Sequence, residues 1–301
     1  MLEAIQEPTY PVGSIYDYNF AQKVQNLRAG FPGGRAVFTQ PPQPIKCAGA
    51  PQKIMHLSWD TWKQKGVNAE IQYYSAAPAI FGVPKYAAML EKLANERNIK
   101  VNLQHNLEKV DGRSRIATFK DAKSGNTVEV KFDFLHAVPY QTTPAWLKKT
   151  KIVNEAGFVT VDSNTLQHDK YKNIWSLGDC ANLPTSKTAA AITGQTPVLV
   201  HNLVSVWKNK EKNPHFAQYH GYTSCPILVG ENKLILAEFN YKSEPEETFG
   251  ALGLQDKPRT MFYWLKRYAF LYAYFHLLPR GIWYGRSGVI PPVLKKAPAK
   301  A

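Results

Sequence analysis

Apolar and polar positions along the chain change period several times, and each change predicts an element. Residues 15–29, IYDYNFAQKVQNLRA, carry apolar side chains at helical spacing and stop at the turn residues GFPGG. RAVFTQP (35–41) reads as a buried strand, and after the proline-rich PPQP residues 50–64 return to a helical period. AEIQYYSA (69–76) predicts a second strand, and PKYAAMLEKLANERN (84–98) a helix with proline at its start. IKVNLQHNLEKVD (99–111) predicts a third strand. SRIATFKDA and NTVEVKFDFLHAVP then predict two antiparallel strands around the turn KSGN.

Strand, helix, strand, helix, strand and then a hairpin is the order of a small doubly wound module. The expected fold is therefore α/β, with Rossmann-like sheets. No two glycines stand two residues apart anywhere in the chain, so the G-x-G-x-x-G loop that cradles a dinucleotide pyrophosphate is absent. From Trp146 onward the pattern differs. GFVTVD looks hairpin-like, and NIWSLGD (173–179) predicts an apolar strand ending at Gly178-Asp179. Residues 185–208 predict a helix whose first turns are small residues, and 221–249 a β-hairpin with Cys225 just before its first strand.

Composition narrows the partners. Lys and Arg number 37 against 23 Asp and Glu, a formal charge of +14 that favours an anionic surface. No helix-turn-helix, zinc-finger or RNP-type motif accompanies the charge, so nucleic acid ranks last. The segment from 259 onward is dense in Tyr, Trp and Phe mixed with Lys266, Arg267, Arg280, Lys295 and Lys296. Its longest helical run without a charged side chain, YAFLYAYFHLL, is far short of the ~20 residues that span a bilayer, and suits a helix lying among anionic headgroups. The three cysteines, Cys47, Cys180 and Cys225, are too few for a disulfide scaffold and none forms a CxxC zinc pair. The N-terminal residues carry neither an apolar signal core nor an Arg-rich transit pattern, so no import signal is expected in this chain.

Two places carry candidate chemistry. Gly178-Asp179 followed by a helix with small first residues resembles the second flavin-contacting segment of two-dinucleotide flavoproteins. The carboxylate can accept hydrogen bonds from ribityl hydroxyls, and the helix N-terminus can approach the flavin's polar edge. A plain strand-end turn is the alternative. Cys47 stands at the turn where a dinucleotide fold usually has glycine. Lys46, Lys53 and the following helix start all favour thiolate there over thiol. Read alone, Cys47 would be a small buried apolar residue. Cys180 reads as structural.

Four stretches, KCAGAPQKIM, AIFGVPKYAAML, LGDCANLPTSKTAAA and GYTSCPILVGENKLILAEF, together resemble the mitochondrial-type sulfide:quinone oxidoreductases, from about residue 13 to about 285. The resemblance implies bound FAD and a redox pair, Cys47 and Cys225. Hydrogen sulfide would attack the pair and leave a persulfide on one sulfur, and electrons would pass through FAD to ubiquinone. It implies cofactor-side roles for Lys53, Gly178, Asp179, Lys187, Thr188 and Lys266, with the lysines stabilising anionic flavin. Sulfite, glutathione or a second sulfide would accept the sulfane sulfur, on the matrix side of the mitochondrial inner membrane. Four segments are expected: a helix and linker (1–34), a second dinucleotide-binding-like domain carrying Cys47 (35–140), the returning part of the FAD domain (141–220), and a cysteine hairpin with a membrane- and quinone-binding region (221–301).

The match breaks at the start. Chains of this family open with a strand, G-x-G-x-x-G and helix that hold the ADP half of FAD, and none precedes Cys47. The expectation is a piece of a longer protein, or a non-catalytic paralogue acting as a membrane-associated binding protein. An NADH:quinone oxidoreductase fits less well, because the glycine loop is absent and the cysteine pair present.

Overall fold

A computed structural model describes residues 1–208 and 216–291. The chain divides into two compact units, Met1–Tyr140 with Ile227–Ile235 and Asp256–Thr260, and Gln141–Pro226 with Leu236–Gln255 and Met261–Ala301.

The first unit is a parallel α/β layer, as the alternating pattern predicts. Its elements begin with α1 (Leu2–Gln6), β1 (Val12–Gly13) and α2 (Tyr18–Ala29), followed by β2 (Gly34–Gln40), α3 (Ala50–Gln64), β3 (Ala69–Ser75), α4 (Pro84–Glu96) and β4 (Lys100–Leu103). The excursion β5 (His105–Asp111), β6 (Ile116–Asp121) and β7 (Thr127–Lys131) returns through β8 (Phe134–His136). The main sheet runs β1-β8-β2-β3-β4, all parallel, with Val37 opposite both Gln72 and Leu135. Phe31, Phe38, Trp62 and Phe134 pack ring against ring under α3, and the Trp62 indole N–H donates to the Arg28 carbonyl.

Three expectations about this unit change. The run 99–111 is two strands, not one. Gln104 adopts φ 59°, which turns the chain out of the parallel sheet and into the antiparallel sheet β5-β6-β7. Its N–H donates to the Ala77 carbonyl and its carbonyl accepts from Ala122, so both sides of the corner are hydrogen-bonded. The last predicted strand splits likewise into β7 and β8. The first long helix starts at Tyr18 because Asp17 caps it, accepting from the Asn19 N–H at 2.8 Å.

In the second unit, α5 (Ala145–Lys148) and α6 (Ala189–Lys208) flank a core of Leu147, Val159, Val161, Leu166, Ala181, Leu183 and Val198. The expected strand at 173–179 does not form. Only isolated bridges cross this region, Gln167 with Trp175 and Val159 with Ala181, and Gly178–Cys180 is a 3-10 turn. A strand needs a continuous partner ladder, and among the described residues none runs along it. β9 (Thr223–Gly230) and β10 (Lys233–Phe239) form the predicted hairpin, but Cys225 lies inside β9 and not before it. The hairpin tip belongs to the first unit, where the Asp60 carboxylate accepts from the Glu231 N–H at 2.7 Å. Beyond it, α7 (Thr260–Trp264) continues into wide π-type turns, Leu265–Phe270 and Ala273–Leu277. Among the described residues no helix is long and apolar enough to cross a membrane. Lys295 and Lys296 lie outside the described residues.

Candidate active site

β2 delivers the chain to the carboxyl edge of the parallel sheet, and Cys47 follows three residues before α3. The residue has φ 76°, the left-handed region in which a side-chain-bearing residue is disfavoured by roughly 1–2 kcal/mol. A glycine would sit there without strain. Its carbonyl accepts from the Ala50 N–H at 2.7 Å and from the Tyr16 hydroxyl at 3.2 Å. From the first turn of α3, the Lys53 ammonium reaches the half-buried Cys47 thiol, Nζ to Sγ 3.4 Å. A cation at that distance stabilises thiolate over thiol.

Cys225 is the other cysteine of interest, 2% exposed in β9 of the second unit. Two residues before it, the Thr223 hydroxyl meets the Thr188 hydroxyl at 2.7 Å. Thr188 also accepts from the Ala191 N–H at 3.0 Å, which makes it the N-cap of α6. Nearby, the buried Glu238 carboxylate accepts from the Tyr222 hydroxyl, from the Thr248 N–H (2.7 Å) and hydroxyl (2.9 Å), and from the Gln255 amide (2.8 Å). Burial and the adjacent Glu238 charge push the Tyr222 phenol well above its ordinary value.

The Gly178 turn has φ 71°, and its N–H donates to the Gln195 side-chain oxygen at 2.8 Å. Lys187 folds back onto this turn, donating to the Asp179 carbonyl at 2.8 Å and the Ala181 carbonyl at 3.0 Å, with its ammonium 4.4 Å from the Phe158 ring centre. The half-exposed Asp179 carboxylate, the α6 N-terminus and its small first residues form a donor and acceptor set of the kind a flavin's ribityl chain and polar edge require. These residues fit the group. Lys266 is half-buried in the wide turn after α7, and Cys180 lies 3.4 Å from the Ser176 hydroxyl, inside the fold.

The structure thus joins Lys53 to Cys47, Lys187 to the Asp179 backbone, and Thr188 to the strand of Cys225. Several residues in these networks carry no earlier expectation, among them Tyr16, Gln195, Thr223 and Glu238. Thr223 stands inside the stretch GYTSCP, so it was within reach of the sequence. Tyr16 is remote in sequence, and nothing in its neighbourhood signals contact with Cys47.

No family model matches the chain. Comparison with curated proteins finds relatives instead. The chain is 43% identical over 300 residues to the mitochondrial sulfide:quinone oxidoreductase of Schizosaccharomyces pombe, covering 97% of this chain. The chain is thus similar, over nearly its whole length, to mitochondrial sulfide:quinone oxidoreductases. Those of Mus musculus and Dictyostelium discoideum are 41% and 40% identical, over 92% and 94% of the chain. The chain spans 65%, 61% and 62% of the three relatives' own lengths. Among solved structures, a chain of the Tetrahymena thermophila mitochondrial ATP synthase matches with TM-score 0.73 at 24% identity, covering 97% of this chain and 70% of its own. The Aquifex aeolicus sulfide:quinone oxidoreductase matches with TM-score 0.72 at 20% identity, over 89% of this chain and 64% of its own. These two likenesses establish the shared α/β fold.

Proposed function

We propose that this chain carries the thiol chemistry of a sulfide:quinone oxidoreductase, with Cys47 and Cys225 as the redox pair. The observation that carries the reading is the Cys47 turn: a thiol held in a strained, glycine-type conformation with a lysine ammonium 3.4 Å from its sulfur. A structural cysteine needs neither the strain nor the cation.

In this reading sulfide attacks one sulfur of the oxidised pair and breaks the S–S bond. One sulfur then holds a persulfide, and the other leaves as a thiolate. For Cys47 the thiolate form is stabilised by Lys53. Transfer of the sulfane sulfur to sulfite, glutathione or a second sulfide leaves two thiolates, whose return to the disulfide releases two electrons. FAD, when bound, would supply the two-electron acceptor that links these thiolates to ubiquinone. Asp179, Gly178 and the start of α6, with Thr188 as its cap, would hold the ribityl chain and polar edge. Lys187 braces the turn that presents Asp179. Lys53 and Lys266 would balance negative charge on the reduced cofactor.

The membrane side of the reading rests on the exposed apolar face of the C-terminal region. Trp264, Tyr268, Leu271, Tyr272 and Phe275 recur at helical spacing and face solvent. With the +14 charge this suits peripheral binding to an anionic bilayer, and in this reading that bilayer is the mitochondrial inner membrane, met from the matrix side. The experiment is a visible absorption spectrum of the purified chain, supplied with FAD and titrated anaerobically with sulfide. A flavin band that bleaches supports turnover by this chain. A band that ignores sulfide would sink the cysteine-pair reading. No flavin band after FAD is supplied would make the chain, by itself, a non-catalytic membrane-associated binding protein.

A further inference from the structure

Cys47 is held through its backbone as well as its thiol. Its carbonyl has two acceptor positions, and both are used, one by the Ala50 N–H of the turn and one by the Tyr16 hydroxyl. Tyr16 is itself fixed. The preceding Ile15 N–H donates to Nε2 of His136 at 3.2 Å, and the Tyr16 N–H donates to the buried Ser14 hydroxyl at 3.4 Å. His136 is fully buried at the end of β8, the strand between β1 and β2. The segment carrying Tyr16 is therefore anchored to the same sheet edge that delivers Cys47.

The geometry makes the hydroxyl consequential. A residue at φ 76° relaxes by rotating its backbone toward negative φ, and that rotation moves the carbonyl and Cβ together. A second donor on the carbonyl resists the rotation. Keeping the carbonyl in place keeps Sγ at Lys53.

We propose that Tyr16 is a positioning residue for Cys47: its hydroxyl clamps the Cys47 carbonyl, holds the turn left-handed and so presents the thiol to the Lys53 ammonium. This deepens the reading of Cys47 as a redox nucleophile and rests on it. Strain at a reactive residue persists only where its surroundings over-determine the conformation, and Tyr16 supplies part of that over-determination.

The test is the pH–rate profile of Cys47 alkylation by iodoacetamide, followed residue by residue by mass spectrometry on the phosphine-reduced chain. Tyr16→Phe removes one oxygen and keeps the ring. It is expected to slow Cys47 alkylation at pH 7 by about three- to tenfold and to move the midpoint of the profile up toward the ~8.5 of a free cysteine. Cys180 serves as the internal control, and its rate should not change. In a Lys53→Met background the effect of Tyr16→Phe should largely vanish, because the clamp acts through the thiol–ammonium contact. An unchanged or faster Cys47 rate in Tyr16→Phe overturns the proposal, as does equal slowing in both backgrounds. The rate is read without sulfide or quinone. A negative result here therefore leaves sulfide chemistry standing, and absence of sulfide turnover leaves the clamp standing.

Discussion

The hydroxyls of Thr188 and Thr223 share one hydrogen bond, 2.7 Å long, between the cap of α6 and the strand that carries Cys225. Both side chains are buried, so neither can exchange that partner for water. Thr223→Val keeps the shape and removes the bond. The expected cost is about 1–2 kcal/mol in urea denaturation. Combined with Thr188→Val, the loss should be clearly less than additive. Strict additivity would mean that the two hydroxyls do not interact.

The cysteines have a sharper signature. Cys47→Ser or Cys225→Ser, introduced into a protein that turns over sulfide, should abolish sulfide-dependent quinone reduction, because neither serine can bridge or carry sulfane sulfur. Wild-type turnover in either variant would refute the pair.

Gly178 lies in the turn proposed to contact the flavin. At φ 71° an alanine is strained, and its Cβ would lie 3.3 Å from the Ile192 side chain. Gly178→Ala should lower stability by about 1–2 kcal/mol and weaken FAD retention, measured by flavin fluorescence after gel filtration. Intact retention would remove the turn from the cofactor's surroundings.

Acid sensitivity follows from two buried histidines. His136 is pushed down to about 3 by burial, and His56 to about 3 by burial and then by the Arg97 charge. The Arg97 guanidinium donates to His56 Nδ1 at 2.9 Å, which requires the neutral ring. Both rings have folded pKa values below the unfolded ~6.5, so the unfolded chain binds protons first. Their stabilising contribution is full above about pH 6.5 and is lost as pH falls toward 3, at up to about 1.4 kcal/mol per pH unit for each ring. His56→Asn with His136→Gln, which keep an acceptor near the nitrogen in use, should flatten the urea midpoint between pH 7 and 5. An equally steep fall would assign acid sensitivity elsewhere.

Replacing Trp264, Tyr268, Tyr272 and Phe275 together with serine should release the chain from anionic liposomes in flotation assays, with little loss of thermal stability, since all four face solvent. Retained flotation would move membrane binding to the basic surface alone.

The parallel sheet was legible because each of its segments is long and periodic enough to declare its type. Residues 50–64, for example, match α3 as drawn from the pattern alone. β1 was not, since two residues, Val12 and Gly13, carry no period. The corner at Gln104 was hidden because its apolar alternation continues smoothly through it, and only the hydrogen bonds to Ala77 and Ala122 decide where the chain leaves the sheet. The strand expected at 173–179 failed for the opposite reason: its residues are apolar enough, but a strand is a property of two segments. At the candidate site, Lys53 lay one helical turn and a half from Cys47 and could be anticipated, whereas Tyr16 and Glu238 act across distances in sequence that no local pattern encodes.

The left-handed turn at Cys47 also sets stability against reactivity. Cys47→Gly would relieve the backbone strain and leave the Tyr16 and Ala50 contacts to the carbonyl in place, so the better-folded chain is the one without its thiol. Cys47→Ser and Cys47→Ala would lose the sulfur and keep the strain. Selection for a durable fold alone would drive this position to glycine, back toward the residue of a nucleotide-binding turn. In the proposed reading, the strain at Cys47 is carried for the sake of the sulfur it presents to Lys53.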